Sequence, residues 1–240
     1  MKIEEIAARI SSLETQVKAQ EKLISAQAKQ LAILEDIEAI KRLQKAYGYY
    51  VEHMMHQEII DCFADSPDVV LDWLEGKYLG KEGARRYFDI NRVSPPEFLH
   101  QVMQIAGIVD IDPDGKTAKG RWYAFGGIFV PRDGSMRRSF VSGIYEMGYI
   151  KENGIWKILS ITWVIPYAIR IAGDWATPEQ VNAPFYNEQF KGPKPDVPIN
   201  KSDLRYVSGY VFPFHYRHPV TGKETSEGVR NSQLKPVMIG

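Results

Sequence analysis

Five side chains carry the reactive potential of this sequence: His100, Tyr49, Tyr50, Asp72 and Arg121. Imidazole titrates near neutral pH, so His100, at the start of an extended run, can take a proton and return it. Tyr49 and Tyr50 close a helical stretch, where a phenol either offers a hydrogen bond or packs in a core. Asp72 lies between Leu71 and Trp73 in VVLDWL. It is either a buried base with a raised pKa or a solvent-facing member of an alternating strand. Arg121 stands mid-strand between Gly120 and Trp122. A guanidinium there needs a partner, because a bare buried charge is costly. Asp72, Glu146 or an oxygen-rich substrate can supply it. Tyr123, Trp73 and Trp163 are flat aromatic walls suited to stacking an aryl ligand, and Glu146 and His53 complete the candidate substrate contacts.

Other chemistries find little support. His53 and His56 are three apart and would share a helix face, but there is no HExxH pattern and no carboxylate at ligand spacing, so no metal site is expected. His215 and His218 repeat that spacing in FHYRHP near the end of the chain, where solvent exposure or a place in a lid is expected. Neither GxGxxG nor GxxxxGK[ST] occurs, so no nucleotide or other cofactor is expected. Cys62, beside Asp61 and Phe63 in a helical stripe, reads as core.

The elements that must position these residues centre on four strands. They run Leu99 to Ile111, Thr117 to Val130, Met136 to Lys151 and Ile155 to Ile165. Between them lie Asp112-Pro113-Asp114-Gly115, Pro131-Arg132-Asp133-Gly134 and Glu152-Asn153-Gly154. Asp-Gly and Asn-Gly tolerate the positive φ of a tight return, so a twisted antiparallel meander is expected. Ahead of it come a helix through Ile37, Ile40, Leu43, Tyr47 and Tyr50 to about Met55, and a short helix with Ile59, Ile60 and Phe63. The strand Val69 to Leu74, closed by Glu75-Gly76, and a third helix from Gly80 to Ile90 follow. Pro95-Pro96 then breaks the chain.

Strand alternation sorts candidates into faces without saying which looks inward. His100, Val102, Gln104 and Ala106 share one face of the first long strand. Arg121, Tyr123 and Phe125 oppose Trp122 and Ala124 on the second; Phe140, Ser142, Ile144 and Glu146 oppose Val141, Tyr145 and Met147 on the third. Lys157, Leu159, Ile161 and Trp163 oppose Trp156, Ile158, Ser160 and Thr162 on the fourth. A bulge would swap faces partway along.

Residues 1–35 carry a heptad. Ile3, Ile10, Val17, Ile24 and Leu31 fall seven apart, as do Ile6, Leu13, Gln20, Gln27 and Leu34. With no Gly or Pro, the segment is expected to be a coiled coil that makes a homo-oligomer, a trimer ahead of a dimer; the competing reading is a helix lying on its own domain. Residues 36–166 form the α+β domain. Residues 167–240 are rich in both proline and aromatics. Disordered tails lack aromatics, so an ordered irregular wrap over this domain or a neighbour is expected.

Composition narrows the partners. Lys plus Arg and Asp plus Glu are 30 each, so the net charge of zero gives no general attraction to nucleic acid or anionic membrane. No run of about 20 apolar residues marks a membrane span. The N-terminus lacks a signal peptide's apolar core, and the lone Cys62 excludes an internal disulfide. A reduced, cytoplasmic setting is expected.

The element order, with FADSPDVVLDW, YLGKEGARRYF, LHQVMQIAGIVDIDPDGKTAKGRWYAF and GIYEMGYIKENGIWKILSITW, resembles the SnoaL-like family. That family belongs to the nuclear transport factor 2-like (cystatin-like α+β) superfamily, with scytalone dehydratase and ketosteroid isomerase as relatives. The resemblance covers roughly Ile33 to Pro166. It implies a curved sheet coned around helices, with a ligand in the hollow. It also implies a histidine opening the first long strand, here His100, and a helix-end phenol, here Tyr49 or Tyr50, polarising a substrate oxygen. The extended architecture is similar to that of cofactor-independent γ-formaldehyde lyases acting on lignin-derived diaryl diols. The implied activity is acid–base elimination on a small hydroxylated aromatic substrate. An isomerase or cyclase of an enolisable ketone, or a non-catalytic binder, shares the fold, because fold alone does not choose a reaction.

Overall fold

Asx and glycine turns hold the sheet together. The computed structural model describes residues 3–73, 76–88, 98–132, 135–170, 210, 211, 213, 214 and 217–235. Ten elements occur in it: α1 (Ile3–Glu52), α2 (His56–Asp61), β1 (Val70–Trp73), β2 (Gly76–Leu79), α3 (Gly80–Phe88), β3 (Leu99–Ile111), β4 (Thr117–Arg132), β5 (Ser135–Glu152), β6 (Ile155–Arg170) and α4 (Glu227–Asn231). Between β3 and β4, the Asp114 carboxylate accepts hydrogen bonds from the backbone N–H of Lys116 (2.8 Å) and Thr117 (3.1 Å), and Gly115 takes φ +66°. Between β5 and β6, Asn153 and Gly154 both take positive φ, +51° and +80°. The expected break at Pro95-Pro96, the turn through Asp133-Gly134, His215 and most of the C-terminal wrap lie outside the described residues.

The fold is α+β, a curved, open, mixed sheet in the order β2-β1-β6-β5-β4-β3 against the helices. β3 to β6 form the expected antiparallel meander. β1 joins its far side in parallel with β6, Leu71 opposite Ile161. β2, absent from the sequence reading, pairs antiparallel with β1 as the edge strand. α1 is one helix of 50 residues, not two segments. The slip of the heptad near Leu34 changes which side is apolar, and no proline interrupts the backbone. Burial begins at Ile40 and continues through Leu43, Tyr47 and Tyr50. Asp36 ties the helix to the sheet where it enters the domain, accepting hydrogen bonds from Lys151 Nζ (2.6 Å) and Trp156 Nε1 (2.8 Å).

Two of the three register shifts among the described strands correct the expected faces. The β3–β4 register shifts between Ile105 and Ile108, with Ala106 at φ +51°, so Ala106 leaves the face of His100, Val102 and Gln104 and is exposed. Gly107 is needed there because a Cβ would collide with the Trp122 ring. The β5–β6 register shifts where Gly148 faces Ser160 and Tyr149 faces Ile158. Trp156 and Ile158 before the bulge, and Ile161 and Trp163 after it, therefore all face the helices, as extra residues in a strand dictate.

The described C-terminal residues pack on this domain. Asn231 exchanges two hydrogen bonds with the Val211 backbone, at 3.0 and 2.8 Å, and Val211 is fully buried. His218 is 2% exposed, contrary to the expected solvent position. Its Nε2 lies 2.8 Å from the Glu58 carbonyl, its Nδ1 accepts from the Val220 N–H (3.1 Å), and its ring stacks on Tyr50.

Candidate active site

The inner face of the sheet is defined by what it buries. On β4 it carries Ala118, Gly120, Trp122, Ala124 and Gly126, with Trp122 the one large residue. Gly120 is small because the Tyr149 and Trp122 side chains close over it. On β3 the same face carries His100, Val102 and Gln104, paired with Ile128, Gly126 and Ala124 of β4.

Across that face runs a largely buried polar chain. Trp122 Nε1 donates to Tyr149 Oη (3.0 Å), Tyr149 Oη donates to Gln44 Oε1 (2.6 Å), and Gln44 Nε2 donates to Gln104 Oε1. It fixes the amide of Gln104 and pins α1 against β3. Burial holds the Tyr149 phenol neutral far above neutral pH, so it serves as a positioned dipole.

Next to Gln104 a half-open groove of about 280 Å³ separates the last turns of α1 from β3. Lys45, Gly48, Tyr49 and Glu52 line it from the helix, at the i, i+3, i+4, i+7 spacing of one face. Val102, Met103, Gln104 and Ile105 line it from the strand. Burial raises the pKa of the Glu52 carboxyl from its ordinary value. His100 lies two residues from Val102 on the same face and is half-buried. Its ring stacks on Phe98, with centroids 6.2 Å apart.

A second inner feature is an aromatic wall. Tyr145 and Trp163 stack at 5.6 Å with planes 5° apart, Trp73 meets Trp163 edge-on at 5.6 Å, and Tyr87 closes on Trp73 at 5.3 Å. The indole nitrogens of Trp73 and Trp163 are buried and make no hydrogen bond among the described residues.

The structure separates the residues singled out in the sequence. Tyr49 lines the groove, half-exposed, whereas Tyr50 is fully buried between His218 and Phe214. Trp73 and Trp163 sit together on the inner wall. Asp72 turns outward, since its neighbours Leu71 and Trp73 take the inner positions, and pairs with Lys77 at 3.3 Å. Arg121, Tyr123 and Glu146 also turn outward, away from the helices. Arg121 and Glu146 form an ion pair with each other, and Tyr123 is 58% exposed. Their parity on β4 and β5 is opposite to that of Trp122 and Tyr145, so none reaches the hollow. His53 and His56 do not share a helix: α1 ends at Glu52, Met54 takes φ +51°, and α2 starts at His56. His56 Nδ1 lies 2.9 Å from the Phe88 carbonyl. Burial, aided by the Arg230 cation, pushes His53 down to about 4. Among the described residues no three or more His, Cys, Asp or Glu gather as a metal site, and no helix is long and apolar enough to cross a membrane.

Glu52 and Gln104 were not singled out by sequence reasoning. A signal existed for Glu52: an acid in the last turn of α1, with no base beside it, opposes the helix dipole. Such a placement needs a local reason.

Comparison with known proteins bears on the fold. The model of the SnoaL-like domain family matches residues 32–162. A provisionally named scytalone dehydratase from Novosphingobium aromaticivorans DSM 12444 superposes with a TM-score of 0.50 at 14% identity, covering 60% of this chain and 93% of that one. This likeness shows the shared fold. A provisionally named aromatic ring hydroxylase from Novosphingobium aromaticivorans gives 0.49 at 25% identity, over 57% of this chain and 94% of that one. A hexachlorocyclohexane dehydrochlorinase (LinA) type 2 gives 0.48 at 20% identity, over 62% and 98%.

Proposed function

This chain belongs to the SnoaL-like domain family, and from that membership we propose a lyase that works by general acid–base elimination on a small hydroxylated aromatic substrate, without a coenzyme. The observation that supports the reading is the convergence on one groove of Tyr49 and Glu52 from α1 and of Val102 and Gln104 from β3, with His100 two residues before Val102 on the same strand face. His100 takes the proton. Glu52, its carboxyl raised by burial, returns one to the departing oxygen, and Tyr49 hydrogen-bonds that oxygen. Val102, Met103 and Ile105 give the groove an apolar wall for the ring of such a substrate.

In a dehydration, His100 removes a C–H proton, the C–H pair becomes the new C=C bond, and the neighbouring hydroxyl leaves as water with the proton supplied by Glu52. In the deformylation of a diaryl diol, His100 removes the hydroxymethyl O–H proton instead. That O–H pair forms the formaldehyde carbonyl, the released C–C pair forms the alkene, and the benzylic hydroxyl leaves as water. Both routes balance without an oxidant or a metal.

The test is turnover of a panel of aryl diols and enolisable ketones by the intact protein and by His100→Ala. Diol turnover with release of formaldehyde or water, falling at least about a hundredfold in the variant, is expected. Near-normal turnover by His100→Ala removes it from the mechanism. Turnover of ketones alone replaces the lyase with an isomerase.

A further inference from the structure

The first two-thirds of α1 touches little of the domain that the rest of the helix supports. Every residue from 3 to 35 is exposed, and contact with the sheet begins only at Asp36. At 1.5 Å per residue this arm extends about 50 Å. A lone helix in water gains little stability of its own. This one also leaves the apolar side chains Ile10, Val17, Ile24 and Leu31 at least half exposed, seven residues apart.

We propose that residues 3–35 associate with the same segment of a second copy of this chain as a parallel, in-register coiled coil. The spacing supplies the seam, with Ile3 opening its first position and Ile6 its second. Charge and polarity then choose the orientation. In parallel register, Arg9 beside the seam faces Glu14 of a second copy, and Gln20 and Gln27 meet their own counterparts, amide to amide. In a fully overlapped antiparallel pair, Gln27 would lie against Ile10 and Gln20 against Val17. Glu14 would also approach Glu21. That arrangement buries amides against aliphatic side chains and brings like charges together, both unfavourable. Leu23 stands beside the seam and is exposed. It widens the apolar stripe enough for a third strand. A parallel arm places the globular domains at one end of the bundle, so their grooves are held as a cluster.

Single cysteines in the full chain test the proposal, because the native Cys62 is fully buried and stays silent. Gln27→Cys lies in the seam, where parallel in-register strands bring the two thiols within disulfide reach. Lys29→Cys lies on the opposite, outer side. Air oxidation followed by non-reducing electrophoresis is expected to link Gln27→Cys chains and to leave Lys29→Cys chains single. Equal linkage of the two, or none from Gln27→Cys, overturns the proposal. A disulfide that forms only when Ile10→Cys and Gln27→Cys chains are mixed overturns it as well, since that product marks antiparallel strands. Sedimentation of Ile10→Asp/Ile24→Asp gives a second readout: the associated mass is expected to fall, and an unchanged mass with linkage absent refutes the contact.

Discussion

Replacing Tyr149 with Phe removes one oxygen from the centre of the buried chain that joins β4, β5 and α1. The hydroxyl accepts from Trp122 Nε1 and donates to Gln44 Oε1, and all three residues are at most 3% exposed. Phe fits the same space, so no cavity forms, and the cost falls on the two groups left behind. A buried donor or acceptor without a partner costs about 1–3 kcal/mol. With partial relaxation the loss is about 2–4 kcal/mol, a large share of a domain's stability. At about 2–4 °C per kcal/mol for a chain of this size, the midpoint of thermal unfolding falls by about 5–15 °C. Urea unfolding followed by tryptophan fluorescence measures it, since Trp122 itself reports the site. Adding Gln44→Leu to Tyr149→Phe should cost less than the sum of the single changes, because two linked groups then leave together. A loss below about 0.5 kcal/mol, the scale of a surface substitution, would refute the reasoning.

Acid should destabilise the protein through His53. Its folded pKa of about 4 lies below the ordinary 6.5, so the unfolded chain binds a proton that the folded chain does not. The contribution is complete above about pH 6.5 and is lost as pH falls towards 4. His53→Gln should flatten that limb in denaturant midpoints measured across the interval. Glu52 acts with the opposite sign. Its raised carboxyl pKa favours the folded state at low pH, and the benefit is lost as pH rises through the shifted value. Glu52→Gln is therefore expected to gain stability over the parent near neutral pH and little in acid, while turnover falls; equal stability changes at both would contradict the burial. Arg121→Ala and Glu146→Ala should each change stability by less than about 0.5 kcal/mol, as exposed pairs do, and leave turnover unchanged. A large loss of activity from either would move the site to the outer face.

Long-range order was legible where local chemistry dictates it. Asp112 to Gly115 and Asn153-Gly154 announce their turns, so the meander could be read with its partners in order. β2 was not legible, because Gly76 to Leu79 is short, mostly exposed and carries a pattern no different from a loop. The inward faces were only half legible. Alternation placed Trp122 opposite Tyr123, but the bulges at Ala106-Gly107 and Leu159-Ser160 come from packing, Gly107 yielding space to an indole that is distant in sequence. The same limit governs the site. His100 stands out by residue type, whereas Glu52 gains its altered carboxyl only from what the folded chain brings over it. Asp72 and Arg121 were candidates in sequence as well, each with an outward or ion-paired alternative, and they pair with Lys77 and Glu146 on the outside.

The parallel pairing of β1 with β6 sets an order of events in folding. Leu71 finds Ile161 across some ninety positions of chain, whereas β3 to β6 zip through short hairpins. Contacts so distant carry a larger closure entropy and form slowly. The meander can therefore assemble early, and the first strand, carrying Trp73, docks after it. A kinetic probe on that indole should lag behind probes on Trp122 and Trp156. The aromatic wall is complete only after that docking, so this part of the inner surface is finished later than the meander that carries Tyr145 and Trp163.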